Sequence, residues 1–476
     1  MHPRTTRRIV PATLALGALV AAPVAAGAAP DRPGEPRYVE GAAGAGDPYL
    51  PLAGNGGIDV EHYDLDLRYE PPAADGPLEG RLDGVATLTV TATQDLRSFN
   101  LDLRGLRASS VTVDGKRARI DAEQGNELVI TPRPKLKAGD TVEVEVTYGG
   151  TTGRPTDLEG ALYGWVTTRD GAMVVSQPDG SATWFPVSDH PTDKASYTFE
   201  VTVPDGLVAV ANGLLEGSET EDGWTTWSWD APDPMAAYLA TASVGNFELS
   251  TSTSRSGVPI IDAVDADLPD SASANLALTG EMMTFYEGLF GEYPFVAYGA
   301  IVDDDSVGYA LETQTRSFFS RRANESTVAH ELVHQWIGDD VAVHRWADIW
   351  HNEGWATYGS WLWAEEQGGA TAQARFESVM AIPADDDFWA LEIGDPGPLN
   401  LFHPAIYSRS AAMLHALRAE IGEDAFWELT RTVVEDYAGS DISTSEYREL
   451  AAEISGQDLD TFFTVWLDTP EKPTDW

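Results

Sequence analysis

Two histidines four residues apart with a glutamate between them, His330-Glu331-Leu332-Val333-His334, constrain this chain more than any other stretch. On an α-helix, positions four apart share a face, so both imidazoles can address one metal ion while Glu331 projects elsewhere and stays free as a base. The flanks predict that helix: Asn324 or Ser326 can cap it, Val328, Ala329, Leu332, Val333 and Trp336 supply an apolar face, and Gly338 ends it. A catalytic zinc site needs a third protein ligand and leaves the fourth position to water. Glu353 suits that role, because the eighteen residues between it and His334 allow a loop through Gly338-Asp339-Asp340 and a second, antiparallel helix whose early turn returns to the metal. A metzincin pattern would need a glycine at 337 and a histidine at 340, where the chain has Ile337 and Asp340. His344 precedes the expected second helix, and His351 sits on a different face from Glu353. Two core histidines satisfied by hydrogen bonds are the plainer alternative, outweighed by the spaced Asn352-Glu353-Gly354.

With 476 residues, the chain can form two or three domains with proper cores, and an apolar content of 43% excludes wholesale disorder. It has no cysteine, so disulfides, thiolate ligands and a lipidated cysteine anchor are unavailable. Residues 1–28 read as a signal peptide: Arg4, Arg7 and Arg8 start it, Ile9 to Val24 form its apolar stretch, and Ala26-Gly27-Ala28 or Val24-Ala25-Ala26 offers a cleavage site. The chain is therefore expected to be secreted, with Arg7-Arg8 hinting at the twin-arginine route and Pro11 leaving Sec and Tat both open. No later segment approaches eighteen uninterrupted apolar residues, so no membrane span is expected. The net charge of −46 becomes −49 without the three leader arginines, a surface that repels nucleic acid and anionic lipid and serves solubility.

Residues 29–57, rich in Pro, Gly and Ala, are expected to form an extended lead-in. Period-two alternation follows: Ala86, Leu88, Val90 and Ala92 alternate with Thr87, Thr89, Thr91 and Thr93, and Val142, Val144 and Val146 with Glu143, Glu145 and Thr147. Asp114-Gly115 marks a hairpin. Short strands of this kind recur to about residue 250, which makes residues 58–250 an all-β amino-terminal domain. From 251 to 476 the pattern turns helical, with three- and four-residue apolar steps from Leu276 to Phe290, a helix from Ala411 to Glu420, and further helices from Phe426 to Trp466. Trp336, Trp346, Trp350, Trp355, Trp361 and Trp363 are expected to pack these helices.

The zinc motif, with Glu353 in its Asn-Glu-Gly-Trp-Ala-Thr-Tyr context, resembles the signature of the aminopeptidase N-type gluzincins. The resemblance implies a β-saddle or sandwich domain followed by a thermolysin-like, α-rich catalytic domain with one Zn²⁺ per chain. It extends to Gly56 through Tyr63, Trp184-Phe185-Pro186, Asp189-His190-Pro191, and Met235 leading to Val244-Gly245-Asn246-Phe247, most of them read as turn and core residues. It also assigns substrate contacts. Gln177 matches the glutamine by which the family's β-domain reaches the cleft. Val307-Gly308-Tyr309-Ala310-Leu311-Glu312-Thr313, expected as an edge strand, occupies the place of the G-A-M-E-N motif, so Glu312 inherits the grip on the substrate's α-amino group and Ala310 a neighbouring contact. Tyr309 and Thr313 depart from that motif. Tyr407, in Tyr407-Ser408-Arg409-Ser410, inherits the role of transition-state donor from a Y-x-K-G segment, expected to precede its helix. The chain stops at Trp476, so the trailing domains of longer relatives are expected to be missing.

Together these features predict a secreted zinc aminopeptidase acting on peptides with a free amino terminus, in which Glu331 handles the proton. An endopeptidase or an epoxide-opening hydrolase on the same site, or a non-catalytic peptide-binding module, are the alternatives. The preferred side chain and oligomeric state have no sequence signal.

Overall fold

The computed structural model describes residues 38–474 apart from Gly125 and Ser306, with residues 121–124 described by their backbone. The expected leader, 1–28, and the first part of the lead-in lie outside the described residues.

The alternating segments pair as their periods predict. Ile58–Glu70, Gly80–Ala92, Thr141–Thr152 and Lys194–Pro204 form the centre of an eight-stranded sheet. Its pairings are antiparallel except for Lys194–Pro204 against Ile58–Glu70, which run parallel and set Tyr197 beside Tyr63. Ala86, Leu88, Val90, Val142, Val144 and Val146 are buried, whereas Thr87, Thr89 and Thr91 lie on the half-exposed face. At Asp114 and Gly115, φ is +48° and +68°, the two left-handed positions of a tight hairpin turn. Trp184, Phe185, Met235 and Val244 are core residues, with the Tyr63 and Tyr197 rings stacked 4.9 Å apart and Phe185 edge-on to Tyr63.

The described part of the lead-in is tied down at several points. Val39–Glu40 pairs with Leu96–Asp102, and buried Asp47 accepts from the Tyr49 and Leu50 N–H groups through one oxygen and from the Trp346 N–H through the other. One side chain thus joins the start of the chain to the segment before the second zinc-motif helix.

Phe247–Thr253 spans residue 250 and opens a five-stranded sheet that continues through Pro259–Asp265, Ala300–Asp303, Ser317–Ser320 and Ala310–Leu311. Helices pack around it: α1 (Thr279–Phe290), α2 (Glu325–His334), α3 (Trp350–Glu366), α4 (Ala372–Met380) and α5 (Pro404–Ile421). Three expectations are corrected here. The stretch from Leu276 is a 3₁₀ turn before α1 begins at Thr279. The edge strand at Val307 to Thr313 narrows to Ala310–Leu311, because only these two pair with Phe318 and Phe319. The helix expected from Ala411 starts at Pro404, whose missing N–H costs nothing at a helix start, with the His403 ring capping the Ala405 N–H at 3.2 Å. Tyr407 therefore sits in the first turn of α5 instead of ahead of it. The six tryptophans named above are all buried.

Candidate active site

Helices α2 and α3 supply the centre. Asn324 occupies the cap position of α2 without a side-chain bond, and His330 and His334 fall one turn apart on its inner face. Glu353 lies in the first turn of α3. The helices approach closely because α3 carries glycine at the contacts: a Cβ at Gly359 would lie 2.5 Å from Val333 Cγ2 on α2, and one at Gly354 would lie 2.6 Å from Ser410 Cβ on α5. The glycine after Glu353 is thus a packing requirement of the α3–α5 contact.

His330 Nε2 and Glu353 Oε2 are 3.2 Å apart, the two histidine Nε2 atoms 3.2 Å, and His334 Nε2 and Glu353 Oε2 3.5 Å. A tetrahedral zinc with ligands at about 2.0–2.1 Å places its donors roughly 3.3 Å from one another. The three donor atoms therefore already stand at three corners of such a tetrahedron. The charge balance agrees: Glu312, Glu331 and Glu353 are buried together with only two imidazoles among them. Burial lowers the basicity of His334, but Glu312, Glu353 and Glu331 outweigh it and push this imidazole up to about 10, the mark of a site short of positive charge. Hydrogen bonds from both histidines hold Glu353 well below the usual carboxylate range despite its burial.

The predicted site residues converge on one cavity of about 480 Å³. Glu331 lines it beside His334, its carboxyl raised chiefly by burial. Glu312, 2% exposed, has a carboxylate within 4.8 Å of the Glu331 and His334 donor atoms and accepts from Gln177 Nε2 at 2.8 Å. Gln177 and Ala310 line the same wall. Tyr407 faces His330, the rings 6.0 Å apart and 28° from parallel, and burial raises its phenol above the ordinary range so that it keeps its proton.

The departures from the family motifs have local reasons. The Tyr309 hydroxyl donates to the Leu162 carbonyl at 2.6 Å, tying the edge strand to the 153–163 loop. The Thr313 hydroxyl donates to the Arg316 carbonyl. Fully buried Arg409 points away from the cavity and donates to the carbonyls of Trp389, Leu391, Val465 and Thr469. Neither stray histidine lines the cavity: His344 is exposed and meets Asp441 at 2.6 Å, and His351 is buried against Trp350 and Tyr447.

Asp157, Glu159 and Ala161 on the 153–163 loop, Tyr309 beside Ala310, Ser326 and Thr327 on α2, Ser360 on α3 and Phe402 before α5 complete the lining. A surface loop and a residue between elements carry no periodic signal, so nothing in their spacing marks them.

The profile of the peptidase family M1 domain matches residues 302–466, and that of the peptidase M1 N-terminal domain residues 59–239. A crystal structure of a mutant M1 zinc metallopeptidase from Deinococcus radiodurans bound to a Tyr-Ser-Ala substrate superposes with a TM-score of 0.83 at 30% identity, covering 91% of this chain and 98% of that one. The chain belongs to peptidase family M1. A two-domain M1 zinc metallopeptidase mutant bound to L-arginine also matches this M1 chain, with a TM-score of 0.82 at 29% identity over 90% of this chain and 99% of the other. Glutamyl aminopeptidase of Rattus norvegicus is 26% identical over 454 residues, 86% of this chain and 47% of its own length. Leucyl aminopeptidase of Saccharolobus solfataricus is 23% identical over 412 residues, 80% of this chain and 50% of its own. The M1 chain spans about half the length of these curated relatives. The β-then-α architecture matches the family's two domains, and its zinc, one per chain, fits the converging His330, His334 and Glu353.

Proposed function

We propose that this M1 chain is an exported zinc aminopeptidase that removes amino-terminal residues from peptides. The observation that carries the reading is the position of Glu312: a buried carboxylate, steadied by Gln177, within 4.8 Å of the Glu331 and His334 donor atoms. An α-ammonium paired there leaves only the first peptide bond of a substrate within reach of the metal donors. The pair acts as a ruler.

His330, His334 and Glu353 would hold a zinc ion, which would supply Lewis acidity toward the scissile carbonyl and acidify the attacking water. The Glu331 carboxylate takes the proton from the attacking water and returns it to the leaving amine. The Tyr407 hydroxyl donates a hydrogen bond to the carbonyl oxygen as negative charge gathers on it. Gln177 Nε2 orients the Glu312 carboxylate, and Ala310 bounds the wall along which the first residue lies.

Hydrolysis of a panel of amino-acid p-nitroanilides, with and without a chelator, tests the activity; hydrolysis unchanged by complete zinc removal would refute it. Export rests on the leader pattern of residues 1–28 by either the Sec or the Tat route. Amino-terminal sequencing of protein recovered from the medium should begin near residue 27 or 29, and material that still starts at Met1 would count against it.

A further inference from the structure

Gln335, the residue after the second histidine, has no part in metal binding and no exposure to solvent. A primary amide has two donor protons and two acceptor lone pairs, and here each has a partner. Its Nε2 donates to the Asp339 carboxylate at 2.7 Å and to the Glu312 backbone carbonyl at 3.1 Å. Its Oε1 accepts from the Thr315 N–H at 2.8 Å and from the Tyr293 hydroxyl at 3.1 Å, a proton that Tyr293 shares with the Ala297 carbonyl at 3.0 Å. Two of these four bonds grip the backbone on either side of the segment that carries Glu312.

That segment needs a grip. Thr315 has φ of +63°, a left-handed conformation that a β-branched residue adopts only under constraint. From its other side it is held by its own hydroxyl, which accepts from the Gly213 N–H at 2.7 Å, and by Asn212, which donates to the Gln314 carbonyl at 2.6 Å. Among the described residues, Gln335 is the side chain whose hydrogen bonds connect this turn to the end of the helix that bears two of the metal ligands, one residue from His334.

We propose that Gln335 is a positioning residue that fixes the distance between the amine-binding Glu312 and the zinc-binding helix, and so sets the register of cleavage. The inference rests on the aminopeptidase reading. Substitution Gln335→Glu retains oxygens for Thr315 and Tyr293 and can share a proton with the Asp339 carboxyl, but it has no second proton for the Glu312 carbonyl, and so releases the clamp at Glu312. The readout is the ratio of kcat/KM for a free amino-acid p-nitroanilide to that for its amino-acetylated form, with kcat and KM separated and rates normalised to bound zinc.

The expected result is one zinc per chain, a rise in KM for the free amine that exceeds the fall in kcat, and a ratio reduced about tenfold, the worth of one buried hydrogen bond. Tyr293→Phe keeps the ring, removes a single bond to Oε1 and should lower the ratio by about threefold. A ratio unchanged in zinc-loaded, folded Gln335→Glu overturns the proposal. Where that variant does not fold, an unchanged ratio in Tyr293→Phe overturns it. An unsubstituted protein with no preference for free amines would instead overturn the aminopeptidase reading beneath it.

Discussion

Replacing Glu312 tests the ruler directly. Its carboxylate is 2% exposed and bonded to Gln177 at 2.8 Å, so a bound α-ammonium meets it out of water, where a hydrogen bond to a charged group contributes about 1.5–3 kcal/mol. Glu312→Gln keeps the shape and removes the charge. At about 1.4 kcal/mol per factor of ten, kcat/KM for free-amine substrates should fall roughly 10- to 150-fold. Glu312→Ala also leaves the Gln177 amide without its partner and opens space in the wall, so its loss should be larger, in the range of about 3–5 kcal/mol found when one member of a buried pair is removed. Neither change touches His330, His334 or Glu353, so zinc content should stay at one per chain. The assay compares steady-state kinetics on free and amino-acetylated p-nitroanilides for the three proteins. The unsubstituted enzyme should discriminate strongly, and Glu312→Ala should lose most of that discrimination. Acetylated peptides cut internally by the unsubstituted enzyme at rates near those of free ones would refute the reasoning and point to an endopeptidase.

Other outcomes follow from the same structure. Metal analysis should find one zinc per chain, absent from His330→Ala. Glu331→Gln should keep zinc and lose turnover, and Tyr407→Phe should lose about 10²–10³ in kcat, the usual worth of one oxyanion donor; near-normal turnover in either would remove that residue from the mechanism. Burial pushes Glu127 from 4.5 up to about 7, so the folded protein holds this proton more tightly than the unfolded chain, and the associated stability is present below about pH 4.5 and lost as pH rises through 7. Melting temperatures across that window should decline less steeply for Glu127→Gln than for the unsubstituted protein. With a net charge of −46, fold and activity should survive molar salt, where the screening length is about 3 Å; loss of structure with rising salt would count against a solubilising surface.

What the sequence alone determined about this protein is whatever short-range periodicity encodes. A four-residue spacing on a helix puts His330 and His334 on one face by geometry, and a two-residue alternation buries Val142, Val144 and Val146 in a sheet, whatever else the chain does. Glu353 was legible because a helix–loop–helix return of eighteen residues is itself a local matter, and Glu312, Gln177 and Tyr407 through the family likeness of their motifs. Only the tertiary structure decided what depends on residues far apart in the chain. Asp47 capping the Trp346 N–H, Tyr309 reaching Leu162 and Gln177 meeting Glu312 join segments separated by 299, 147 and 135 positions, and no periodicity spans such gaps. The same holds for Gln335, which reads in sequence as one more residue at a helix end. Its role arises because the fold places Glu312, Thr315, Asp339 and Tyr293 around one buried amide, where every polar group must find a partner.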